Sequence, residues 1–248
     1  MRQLEILKQL MTIFDSEQLT YFAIGGTALG AVRHNGFIPW DDDIDIAMPR
    51  PDYERFLKLQ SKLPANLFIQ HHSTEKGYPL YFVKVREKGT IYMERRLAKY
   101  DIEHGVFVDI FAWDELGEPG TVDKVLARKI HKFKRTVVCN RYSVFNFMKT
   151  YFYRMIYGFK SPDALFRELD EYKMRHNGSK TGRLGCVEYN DILDEDDLFP
   201  LRLHQFEDTR IYLPNNVDKY LKDKYGDYMK MPDEKDRLTH RPVKVALP

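Results

Sequence analysis

Apolar residues in the opening stretch "MRQLEILKQLMTIFDSEQL" recur at helical spacing, with Leu4, Leu7, Met11 and Phe14 on one face. Glu5, Lys8 and Asp15 break the apolar run, so it reads as an amphipathic helix and not as a signal peptide. "LTYFAI" then suits a short strand running into Gly25-Gly26, and "TALGAVRH" a short helix closed by Asn35-Gly36. "FIPW" leads through a turn into "DIDIAM", a strand by its alternation, and Pro51 sits in the first turn of a helix over "PDYERFLKLQSKL". "NLFIQHH", "LYFVKVREK", "TIYMERR" and "GVFVDIFAW" read as further strands. From 121 to 176 the pattern turns helical; "LHQFEDTRIYLP" then predicts a hairpin about Glu207-Asp208, and "VDKYLKDKYGDYMK" a helix ending near Gly226. The expected fold is α+β: a mixed sheet with flanking helices over 1–115, then a mainly helical region with a β-hairpin over 116–248. The two are expected to pack as one unit, since no internal repeat or low-complexity linker separates them.

At 248 residues the chain can bury a sizeable core, and a net charge of +2 names no partner. Cys139 and Cys186 lie far apart and outside metal-ligand spacing, as expected of reduced thiols in a cytoplasmic protein. The most apolar long stretch, 142–159, contains Asn146, Lys149 and Arg154 and makes a poor membrane span. The distribution of charge says more than its sum. Residues 124–160 hold ten Lys or Arg and no Asp or Glu, interleaved with aromatics that include Phe133, Tyr151 and Phe152. One reading is a helical pair with an aromatic core and solvated charges. The other is a surface for anionic lipid, which would place the protein at the inner face of a membrane. No nucleic-acid motif accompanies the run, so nucleic acid is not expected as a partner.

The stretch "GGTALGAVRHNGFIPWDDDIDI" carries the candidate chemistry. Strand alternation places Asp43 and Asp45 on one face while Ile44 and Ile46 turn into the core. Two carboxylates about 4 Å apart repel by roughly 4 kcal/mol at an effective dielectric near 20, so the pair suits a hard cation, Mg²⁺ or Mn²⁺. Asp41 and Asp42 fall in the turn, where local hydrogen-bonding roles are expected. Gly25 and Gly26 precede a helix start, where backbone N–H groups can receive phosphate oxygens, and the Thr27 hydroxyl would add to that seat. Asp109 sits between Val108 and Ile110 in an apolar strand, a costly place for a lone carboxylate, which makes it the candidate third ligand. Phosphate seat plus carboxylates points to metal-assisted phosphoryl transfer. An EF-hand is excluded because Ile46 stands where glycine is required and Asp52 where glutamate is. A nucleotide-sugar glycosyltransferase also uses Asp-x-Asp, but its fold needs several βα units first, and about one strand precedes Asp43.

Taken together, Gly25-Gly26-Thr27, Gly30-Ala31-Val32-Arg33-His34, Gly36-Phe37-Ile38-Pro39-Trp40 and Asp41-Asp42-Asp43-Ile44-Asp45 resemble the LicD family. These are phosphocholine-type transferases of the nucleotidyltransferase fold, related to fukutin-related protein. The resemblance continues in "FVKVREKGT", "VDIFAWD" and "YLKDKYGDYMKMP"; relatives more often read "DIFPLD" at the second, which leaves Asp109 intact. It implies Mg²⁺-dependent transfer of a phospho-alcohol, phosphocholine foremost, from a CDP-linked donor to a sugar hydroxyl, with release of CMP. The acceptor would be a lipid-linked precursor of a cell-surface glycan or teichoic acid. Asp43, Asp45 and Asp109 would hold the metal, and Asp109 would also serve as general base. Arg33, Lys84 and Arg86 are candidates for phosphate contacts, or else structural charges. Trp40 would stack on a base or a choline headgroup, or else pack; Arg237 and His240 lie in a polar tail that would fold over the site. The same carboxylates would also serve a nucleotidyltransferase that moves NMP to its acceptor. Retention of all of them disfavours an inactive binding module.

Overall fold

The computed structural model describes residues 2–117, 121–133, 148, 151–153, 155–156, 158, 160–237 and 242–247. Cys139, His240 and much of the basic run over 124–160 lie outside the described residues. The chain opens with α1 (Arg2–Ser16), whose Leu4, Ile6, Leu7, Leu10 and Phe14 are buried against the sheet. There follow β1 (Phe22–Ala23), α2 (Gly25–His34), β2 (Asp45–Pro49) and α3 (Arg50–Phe56), then β3 (Leu67–Gln70), β4 (Val83–Glu87), β5 (Ile91–Met93) and β6 (Val106–Glu115). The helix expected over 51–63 stops at Phe56. The Gln60 side chain accepts from Ile69 N at 2.8 Å and donates to Leu67 O at 3.1 Å, tying the following segment to the β3 backbone instead.

The second half supplies α4 (Thr121–Phe133), α5 (Pro162–Lys173), β7 (Arg183–Cys186), β8 (Asp191–Asp194), α6 (Glu195–Leu198), β9 (Arg202–Phe206), β10 (Thr209–Leu213), α7 (Val217–Tyr225) and β11 (Lys244–Ala246). Ser161 caps α5 by accepting from Ala164 N, and Asn216 caps α7 by accepting from Lys219 N. The hairpin turns at Glu207-Asp208 as expected, with Phe206 opposite Thr209. Strands β7, β8 and β11 had no clear sequence signal, being short and weakly alternating.

The main sheet runs β1-β2-β6-β4-β3, with β2 parallel to β6 and the other pairs antiparallel. Strand β7 joins the far end of β6, Asp114 opposite Gly185, and pairs in turn with β8. Strand β6 is therefore the spine: Val106 through Asp114 are all buried, which explains a near-continuous apolar run in place of alternation. One core extends from α1 through the sheet to Leu198, Ile211, Leu213 and Leu221, so both halves share it. A smaller cluster joins α4 to α5 through Leu126, Ile130, Phe133, Leu165, Phe166 and Leu169. Among the described residues no helix is long and apolar enough to cross a membrane.

One buried ion pair fixes the entry of α3 onto the sheet. Arg50 Nε and Nη2 each lie 2.7 Å from an Asp114 oxygen, and Asn177 Nδ2 adds a third bond at 2.8 Å. Replacing Arg50 by Met would strand the Asp114 charge in the core, a loss of about 3–5 kcal/mol. Urea denaturation of Arg50→Met should show a destabilisation of that order, whereas a change below about 1 kcal/mol would mean the pair is solvated.

Candidate active site

Strand register assembles the centre of the site. Asp45 on β2 lies beside Asp109 on β6, and Lys84 on β4 lies opposite Asp109 on its other side. Residues in register point the same way, so the three side chains form a row across the sheet. Asp43, just before β2, reaches the same point: oxygens of Asp43, Asp45 and Asp109 all lie within 4.8 Å of one another. The backbone around them is pinned. Asp45 N donates to Thr27 Oγ1 at 2.8 Å, and Asp109 N donates to Ile44 O at 2.8 Å.

This crowding is visible in the proton equilibria. Burial first, then the charges of Asp43, Asp109 and Asp41, hold Asp45 well above the usual carboxylate range, with Lys84 opposing. Burial likewise raises Asp109 to about 6, with Lys84 as the chief opposing influence. A cation arriving among these oxygens would relieve the repulsion, so the donor set fits a divalent ion with oxygen ligands.

The carboxylates form the floor of a cleft of about 540 Å³. Gly25, Gly26, Arg33 and Trp40 line it from the first half, as the sequence predicts. The glycine pair also meets groups of the protein itself. Gly25 N donates to the Tyr220 hydroxyl at 2.8 Å, and the space above the pair holds carboxylates. A Cβ on Gly25, whose φ is +56°, would stand 3.0 Å from Asp45 Oδ2, and one on Gly26 would stand 2.4 Å from Asp41 Oδ2. The glycines let two aspartates approach the start of α2, beside the place expected to seat a phosphate. Thr27 is buried, and its hydroxyl holds the Asp45 backbone.

For Lys84 and Arg86 the geometry matches the second of the two readings, structural charges. Both are fully buried, and neither lines the cleft. Lys84 Nζ lies 2.8 and 2.9 Å from the Asp109 oxygens; Arg86 bonds Gln70 Oε1, Gly105 O and Glu94 Oε2. Strand period reveals that the two share a face, but a strand buried on both sides turns that face inward. Cations do line the cleft elsewhere: Arg33, which donates to Tyr228 O at 2.7 Å, Arg96, Lys224 and Lys230.

The last three were missed, together with Tyr189, Asp191, Tyr225 and Tyr228. Lys224 and the Tyr220 hydroxyl both donate to Asp191 Oδ1, at 2.5 and 2.6 Å, which ties α7 to β8 and to Gly25. The only local signal was the Lys/Tyr-rich "YLKDKYGDYMK". At the rim, the Arg237 guanidinium lies 4.5 Å from the Trp40 ring centre, so the polar tail does reach the site.

Asp109 gives a testable sign. Its carboxyl ionises near 3.8 when unfolded but near 6 in the fold, so folding takes up a proton between these values. Stability of the metal-free protein should therefore fall as pH rises through that window. Measured by urea unfolding in chelator, wild type should lose about 2–3 kcal/mol relative to Asp109→Asn between about pH 4 and pH 6.5. A pH-independent difference would place Asp109 in contact with water.

Comparison with known proteins follows the same lines. Residues 18–157, more than half of the chain, match the family model described as LicD/FKTN/FKRP, nucleotidyltransferase domain. The chain is 25% identical to the lipopolysaccharide cholinephosphotransferase LicD of Haemophilus influenzae, over 96% of this chain and 92% of that protein. It is also 30% identical to an uncharacterised protein of Rickettsia prowazekii, over 29% of this chain and 34% of that one. With the family's glycine and aspartate motifs brought together at one cleft, the chain belongs to the LicD family.

Proposed function

We propose that the protein is a cholinephosphotransferase-type enzyme that moves a phospho-alcohol, phosphocholine foremost, from a CDP-linked donor to a sugar hydroxyl of a cell-surface glycan. The relative from Haemophilus influenzae, aligned over nearly the whole chain, supports the reaction class and lipopolysaccharide as the acceptor type. The observation that carries the reading is the meeting of Asp43, Asp45 and Asp109 at the floor of a cleft with cationic and aromatic walls.

Asp43, Asp45 and Asp109 would hold Mg²⁺ or Mn²⁺. Bound there, such an ion supplies positive charge to phosphoryl oxygens and to the departing phosphate. The protein's own groups do the rest. Arg33, Arg96 and Lys224 offer the donor diphosphate charge-assisted hydrogen bonds from the walls. Trp40 and Tyr225 offer aromatic faces to a cytosine ring or a quaternary ammonium. The acceptor oxygen bonds the phosphorus carrying the alcohol, the bond from that phosphorus to the CMP oxygen breaks, and an Asp109 oxygen takes the hydroxyl proton. Transfer of NMP through the same carboxylates is the second reading, and its product separates the two. Incubated with CDP-choline, a sugar acceptor and Mg²⁺, wild type should release CMP; Asp43→Asn and Asp45→Asn should lose at least 10²-fold in rate while remaining folded by circular dichroism. A nucleotidylated acceptor would favour the second reading, and full activity in either variant would sink both.

We also propose that the enzyme meets its acceptor at an anionic lipid surface. Met148, Tyr151, Phe152, Met155 and Ile156 follow helical spacing and are 53–64% exposed, within a run that has ten basic residues and no acidic one. Vesicles rich in phosphatidylglycerol should co-sediment the protein in a salt-sensitive way, and Phe152→Asp with Met155→Asp should reduce binding several-fold. Equal binding to phosphatidylcholine vesicles would refute the electrostatic part.

A further inference from the structure

Reading the cleft as a divalent-metal site leaves Lys84 without a role. Its ammonium touches both Asp109 oxygens, lies 3.3 Å from Glu94 Oε2 and stands 3.4 Å from the centre of the Phe107 ring. Lys84 is fully buried. Stability alone is a poor reason for such a group, because apolar residues of similar volume usually replace a buried ion pair without loss.

The neighbouring charges show where its influence falls. Glu94 is bonded by Arg86 at 3.1 Å, and the other Arg86 bonds go to the neutral oxygens of Gln70 and Gly105. Arg96 adds a further bond to Glu94 at 3.1 Å. Arg86 and Arg96 share in compensating Glu94, so the Lys84 charge is divided between Glu94 and Asp109, with its two shortest bonds on Asp109. Counted by formal charge, Asp43, Asp45 and Asp109 carry three negatives, of which Lys84 offsets one. A carboxylate has lone pairs enough for two ammonium hydrogen bonds and a metal, so Lys84 does not block Asp109. A positive charge a few ångströms away nevertheless opposes a divalent cation.

Building on the metal reading above, we propose that Lys84 is a resident counter-cation competing with the divalent ion for Asp109. It keeps metal affinity low in the empty cleft, so that metal and anionic donor load together. The donor diphosphate brings the negative charge that Lys84 has withdrawn. Lys84 is thus a positioning residue that acts through Asp109 and does not touch substrate.

The direction of one measurement separates this role from that of a mere strut. Calorimetric titration of the full chain with Mn²⁺ alone should show Lys84→Met binding at least tenfold more tightly than wild type. Adding CDP should tighten Mn²⁺ binding strongly in wild type and much less in Lys84→Met. A strut would behave oppositely, since losing it lets Asp109 drift and weakens the metal. Glu94→Gln provides a reciprocal test should Lys84→Met fail to fold: with Glu94 neutral, Lys84 is left wholly to Asp109, and Mn²⁺ should bind several-fold more weakly. Unchanged or weaker Mn²⁺ binding in Lys84→Met overturns the proposal, as does unchanged binding in Glu94→Gln. If wild type binds Mn²⁺ equally well after Asp45→Asn, the metal reading itself fails and the lysine role falls with it. If that control abolishes binding while Lys84→Met does not tighten it, the metal site stands and only the lysine proposal is lost.

Discussion

A carboxylate in the middle of a sheet is the constraint around which this protein is arranged. Asp109 sits on the strand that spines the core, where a lone charge would cost several kcal/mol. The fold answers it laterally, with Lys84 in register on one side and Asp45 on the other. Parallel pairing of β2 with β6 brings the two aspartates level, and antiparallel pairing of β4 with β6 brings the lysine level with both. Moving β2 or β4 by one residue would turn its member of the row to the opposite face. The geometry of the charged row and strand register are therefore one specification.

The elements around this row serve to hold it. Thr27 fixes the start of β2 through the Asp45 amide, and α2 begins with two glycines because carboxylates must approach its first turn. Helix α7 braces the same turn from outside, its Tyr220 hydroxyl accepting from Gly25 N while donating to Asp191. A helix whose Tyr220 lies 195 positions beyond Gly25 in sequence thus braces the start of α2. Its cations and tyrosines form the wall opposite the motif-bearing first half.

How far this could be read from the chain differs residue by residue. Asp43 and Asp45 were legible because strand alternation is local and their isoleucine neighbours mark the buried face. Asp109 was legible because a charge inside "GVFVDIFAW" has no apolar excuse. Lys84 and Arg86 were seen with two readings left open, phosphate contact or structural charge: period tells which residues share a face, not what lies above it. Gly25-Gly26 was legible only in part for a related reason, since the sequence shows room for close approach and not which groups use it. The α7 wall was out of reach, because its contacts join distant segments through hydrogen bonds that leave no periodic trace.

The rim of the cleft is built on different terms from its floor. Arg237 covers Trp40 from a tail whose strand β11 is three residues long, wholly exposed and, among the described residues, paired with the short strand β5. Edge contacts of that kind lie at the low end of the range of local opening free energies, whereas the row on β2, β6 and β4 opens only with the core. The floor is thus held by three paired strands of the core, whereas the rim contact is followed in the chain by a short exposed pairing. An extension joined after β11 would therefore load the β11–β5 pairing before it reached the row of charges on β2, β6 and β4.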